Sequence, residues 1–94
     1  MDNRLVRSIR SIEDRLITSG VVVTYSETDS QESDSVNLDS ERFVGTVTHW
    51  PESRFEFQFN RCDNGEVEVL ESHEFDSDET LTVYLENLMF ERLS

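Results

Sequence analysis

The 94-residue sequence predicts an α+β domain: an N-terminal helix, an antiparallel meander of four to five strands, and a C-terminal helix, with both helices on one face of the sheet. Three observations carry this prediction. Apolar residues recur every three or four positions at both ends of the chain, which is the period of a helix. Between the ends they alternate with polar residues, which is the period of a half-buried strand. The strands follow one another without intervening helices, which argues against a parallel α/β sheet.

Leu5, Ile9, Ile12 and Leu16 form a single apolar stripe over the first helix. Asp2 or Asn3 can cap its start, and Gly20 is the expected terminator. The interleaved Arg4, Arg7, Arg10 and Arg15 read as the solvated basic face of a docked helix rather than as a membrane-surface peptide. Residues 21–25 are β-branched and aromatic, with Val21, Val23 and Tyr25 on one face of a strand. Residues 26–35, SETDSQESDS, read as a solvated loop. Val36 and Leu38 mark a short strand, and the turn Asp39-Ser40-Glu41-Arg42 leads into a longer one ending at Trp50. Gly45 inside that strand implies a bulge or a close approach by a neighbour, and Pro51 stops it.

The run Arg54-Phe55-Glu56-Phe57-Gln58-Phe59-Asn60 alternates strictly. Its three phenylalanines share one face, so Glu56 and Gln58 share the other. Asn64-Gly65 is the preferred central pair of a tight hairpin, both positions tolerating φ > 0. On the returning strand Val67 and Val69 are expected to face inward, with Glu66, Glu68 and Leu70 outward. The last helix opens at Asp76, with Glu79 as its capping-box partner, or at Ser77. Asp78 and Glu79 suit the positive end of its dipole. Leu81, Leu85 and Leu88, with Tyr84 and Met89 beside them, form its apolar stripe, and Arg92 lies in the last turn.

Charge narrows the function. There are 21 acidic residues against 8 basic ones, all arginine, for a net charge of −13. Residues 1–20 are slightly basic, so the whole surplus lies in residues 21–94. Such a chain lacks the cationic surface that binding nucleic acid or anionic lipid requires. Its electrostatic partners are cations or a basic protein. The length supports one domain, 1–94. The lone Cys62 suits a reducing compartment. The lack of a signal-peptide pattern or an 18-residue apolar run places the expected location in the cytoplasm.

No catalytic or cofactor constellation stands out. His49, His73 and Cys62 fall in separate segments without metal-ligand spacing, and the three glycines form no phosphate loop. The acidic loop lacks the frame of a calcium site. The expectation is a protein without enzymatic activity, metal or cofactor. What remains is a binding surface. The outward positions Glu56, Gln58, Glu66, Glu68 and Leu70, with Trp50 as an aromatic anchor, form one candidate patch. The loop acids Asp29, Glu32 and Asp34 are the other. In the strand before the phenylalanines, either Thr46, Thr48 and Trp50 or Val47 and His49 face outward. The plainer alternative has Trp50 completing the core and the acids conferring solubility alone.

The run Val36-Asn37-Leu38-Asp39-Ser40-Glu41-Arg42-Phe43-Val44-Gly45-Thr46-Val47-Thr48-His49-Trp50 resembles the core of the TriTu family of bacterial immunity proteins. In that family an alternating strand of V-x-L-D-S type leads to (V)G-x-(I/V)-T-x-W. An acidic and apolar hairpin and a final helix follow. The resemblance covers roughly residues 20–93. Pro51-Glu52-Ser53, where a tighter turn with glycine is expected, and the acidic 26–35 loop depart from it. The resemblance implies an antitoxin that binds the C-terminal nuclease domain of a contact-dependent inhibition effector. That toxin would be a tRNase that associates with elongation factor Tu, so the factor would be reached only through the toxin. A competing reading is an acidic protein of a salt-adapted organism, whose charge says nothing of partners. An enzyme using His49, Cys62 and nearby acids is a third, with no feature in its favour.

Overall fold

The computed structural model describes residues 4–26, 34–50 and 52–93, the side chains of Ser26 and Asp34 excepted. The expected caps Asp2 and Asn3, the strand stop Pro51, and loop residues 27–33 lie outside the described residues. Helix α1 (Arg4–Thr18) buries Leu5, Ile9, Ile12 and Leu16, the stripe set by its sequence. Gly20, at φ 89°, ends it. Its N–H donates to the Ile17 carbonyl at 3.0 Å, and that of Val21 donates to Leu16 at 2.9 Å. This paired closure satisfies the carbonyls a helix end leaves open, and the left-handed position suits glycine.

Five strands follow among the described residues: β1 (Val22–Ser26), β2 (Asp34–Asp39), β3 (Phe43–Trp50), β4 (Arg54–Arg61) and β5 (Val67–Glu74). They form one antiparallel sheet in the order β1-β2-β3-β4-β5, a meander with an edge at each side. Ser26, Asp34 and Ser35, expected in a loop, belong to β1 and β2, whose pairing runs to Ser26↔Ser35. A polar segment can extend a ladder because the backbone, not the side chains, makes the bonds.

The inner face is apolar. Phe55, Phe57 and Phe59 are fully buried, with Val36, Leu38 and Val47 alongside. Gly45 lies opposite Phe59 in regular register, so it marks a close approach and not a bulge. A Cβ there would fall 2.0 Å from Cδ2 of the Phe59 ring. Phe43 packs edge-on against the same ring, centroids 5.6 Å apart.

Both helices cover this face. Ser77 caps α2 (Asp78–Asn87), its Oγ accepting from the Thr80 N–H at 3.2 Å, so the cap is Ser77 and not Asp76. Leu81 and Leu85 enter the core. The chain then widens into a π-helical turn (Leu88–Arg92), closed by the Leu93 N–H on the Leu88 carbonyl at 2.9 Å. The extra residue in that ring lets Leu88, Met89 and Leu93 all bury. Of the α1 arginines, Arg7, Arg10 and Arg15 are exposed, but three of the four also bridge to the second helix. Arg4 and Arg7 reach Asp78, at 3.2 and 2.8 Å, and Arg15 reaches Glu86 at 2.6 Å. They tie α1 to α2, since the acids of the second helix lie across the helix pair from them.

Two connections differ from expectation. Between β4 and β5 the loop spans residues 62–66, and only Gly65 has φ > 0, at 72°. The Asn64 side chain instead accepts from the Glu66 N–H at 2.9 Å. Between β3 and β4, Trp50 pairs with Arg54, and Glu52 and Ser53 both hold φ 65° without being glycine. No helix among the described residues is long and apolar enough to cross a membrane.

Candidate functional site

With both helices on the phenylalanine side, no element among the described residues covers the other face of the sheet. The registers assign its residues without ambiguity. Thr46, Thr48 and Trp50 point outward, and Val47 and His49 point inward. One outer row runs Thr24, Asn37, Thr46, Gln58, Leu70, and the next runs Ser35, Thr48, Glu56, Ser72. Glu56, Gln58 and Leu70 thus meet around a shallow concavity of about 440 Å³ that Thr46 and Thr48 help to line.

Trp50 sits at the end of this face, partly buried, with the Arg54 guanidinium 5.9 Å from its ring centre. Its indole N–H is shielded and finds no acceptor among the described residues. Arg54 is the one cation on the outer face among the described residues, against Asp39, Glu56 and Glu74.

Glu68 is not part of this patch, and Val67 does not face inward. Between Phe59 and Asn60 the pairing with β5 slips by one residue, so Asn60 pairs with Val67 instead of Glu68. This bulge turns Val67 out. It leaves Glu68 lining a cavity of about 460 Å³ at the sheet's end, with Phe43, Arg61, Arg92 and Leu93. There it lies 3.7 Å from Arg61. Glu66 is exposed in the connection before β5. Asp34 starts β2, and Asp29 and Glu32 lie outside the described residues.

A polar cluster that sequence spacing does not reveal lies on the helix side of β5. Glu71 is opposite Phe57 and so faces the helices. It accepts from the Tyr84 hydroxyl and from Arg92 Nη2 at 2.5 Å, and pairs with His73 at 2.9 Å. Arg92, Tyr84 and His73 together hold the Glu71 carboxyl well below the usual carboxylate range. Burial, then the bond to Glu71, pushes the Tyr84 phenol up to about 12. Burial, then Glu13, does the same for Tyr25, whose hydroxyl donates to Glu13 at 2.7 Å. Arg7, with Arg4 behind it, lowers Asp78.

These are structural ties. His49 stacks on Phe55, centroids 4.3 Å apart, and His73 lies on the far side of that same residue in register. Cys62 is at the other end of the sheet, exposed. Among the described residues no three His, Cys, Asp or Glu side chains gather as a metal site.

Fold and surface define a class: a small α+β module that offers a flat, uncovered sheet face and a strong negative field. A family model for the immunity protein TriTu matches residues 3–91. The chain belongs to this family of immunity proteins, as its central strands indicate. No curated protein matches it.

Proposed function

We propose that this chain is the antitoxin of a contact-dependent inhibition system, binding and occluding a cognate basic nuclease domain, a tRNase, in the cytoplasm. The observation that carries the reading is an uncovered sheet face on a chain of net charge −13, five of whose eight arginines pair with the chain's own acids. A ribonuclease must present a cationic groove to its polyanionic substrate. An acidic protein seated there competes with RNA by charge and by bulk, with no chemistry of its own. Elongation factor Tu would meet the chain only through the toxin.

Within this reading the outer face makes the contact, through Glu56, Gln58 and Leu70 at its centre and Trp50 at its end. Glu66, Glu68, Asp29, Glu32 and Asp34 add to the attracting field. Complementary fields speed encounter more than they hold the complex, so packed groups supply the residence time.

The test is co-purification with the C-terminal domain of a contact-dependent inhibition effector from the same organism. A stoichiometric complex at low salt, whose association slows as salt rises, is the expected result. Glu56→Lys is expected to lower the association rate further. Absence of a complex at low salt contradicts the reading.

A further inference from the structure

The outer face is not uniformly polar. Its central rows carry threonine, serine, asparagine and glutamine, as a solvated antiparallel face should. The row at the end nearest the β2–β3 and β4–β5 turns is different. It runs Val22, Asp39, Val44, Asn60, Val67 across all five strands. Its valines are 62 %, 48 % and 52 % exposed, and Leu70 on the same face of β5 is 70 % exposed. At the spacing of neighbouring strands the row is about 19 Å long.

The bulge makes this row more than an accident of composition. In unbroken register Glu68 would lie opposite Asn60 and point to water, while Val67 would turn toward the helices. The slip between Phe59 and Asn60 turns Val67 outward instead, and leaves Glu68 exposed beside Arg61 at the sheet's end. Burial energy favours the unbroken arrangement, because it would hide the Val67 side chain, which is left 52 % exposed. Bulges are a recurrent device for re-aiming side chains at functional sites. Here the bulge extends an exposed apolar row onto the last strand.

We infer that this valine row is where the cationic toxin domain seats, with Val22, Val44, Val67 and Leu70 as the packed anchors and Asp39, Glu56 and Glu66 as the charged rim. The inference rests on the immunity reading and adds the docking end of the face. An apolar centre ringed by charge is the arrangement that concentrates binding energy. The sign of the rim selects a basic surface with an apolar ridge. A second copy of this chain is a poor occupant, since two −13 surfaces would be pressed together.

The test compares Val44→Thr/Val67→Thr with Val83→Thr against the C-terminal domain of a contact-dependent inhibition effector from the same organism. Threonine keeps the β-branched shape and replaces a methyl with a hydroxyl that the interface would leave unpaired. Val83 is as exposed, 52 %, but lies on α2. The double variant is expected to raise the dissociation constant about tenfold or more, with the free chain's melting temperature nearly unchanged. Val83→Thr is expected to bind as the parent does. Parent-like affinity in the double variant overturns the assignment and leaves the immunity reading standing. Equal weakening by Val83→Thr also overturns it. Failure of the unsubstituted chain to bind overturns the immunity reading, and the assignment with it. A free chain that dimerises in sedimentation, and becomes monomeric in the double variant, makes the row a self-contact and overturns the assignment.

Discussion

Gly45 and Phe59 fit tightly against one another across β3 and β4. A methyl at position 45 would sit 2.0 Å from the Phe59 ring, which Phe43 and the core keep from retreating. Gly45→Ala is expected to cost about 1–3 kcal/mol in denaturant unfolding, an overpacking penalty. Pairing it with Phe59→Leu should recover part of the loss, because the smaller side chain vacates the contested space. Glu52 is the opposite case. Its left-handed backbone costs an L-residue roughly 1–2 kcal/mol, and glycine's greater unfolded freedom takes back about 0.5–1. Glu52→Gly should therefore stabilise the chain by about 0.5–1 kcal/mol. Ser53 shares the conformation but is held by Arg4 Nη1 at 3.0 Å and by the Phe75 N–H on its carbonyl, so it is the less suitable site.

At the scale of elements, Glu71, Tyr84 and Arg92 lock β5 to the end of the second helix. The depressed Glu71 carboxyl contributes stability that is present above the ordinary carboxylate range and lost as pH falls through its lowered folded value. Asp78 acts in the same direction through Arg7. Glu71→Gln should lower stability at neutral pH and make its decline toward acid shallower than the parent's, read from melting temperatures between pH 7 and pH 2. The two tyrosines work at the other end. Their raised values add stability below pH 10 that fades as pH rises through about 12. Phenolate absorbance of the folded chain should rise near 12, whereas a midpoint near 10 contradicts the burial described. Alternation of Phe55, Phe57 and Phe59 and the stripes of both helices made the architecture readable, because each is a local period. The ion pairs between helices, the Glu71 cluster and the bulge were not readable. They join residues far apart in sequence, or shift register by one with no local mark. For the same reason Glu56, Gln58 and Leu70 could be placed outward from sequence, while Val67 and Glu68 could not.

For the molecule as a whole, the distribution of charge matters more than its total. Paired arginines neutralise acids along the helix side, while among the described residues the outer face has Arg54 alone against three acids. In the proposed function the sheet face opposite the helices is the surface that meets a basic toxin. The most direct measurement is titration of the chain into RNA cleavage by the proposed cognate toxin domain. Cleavage is expected to fall linearly and stop at one equivalent, because one acidic face fills one cationic groove. Cleavage that continues undiminished in excess of the chain contradicts occlusion as its function.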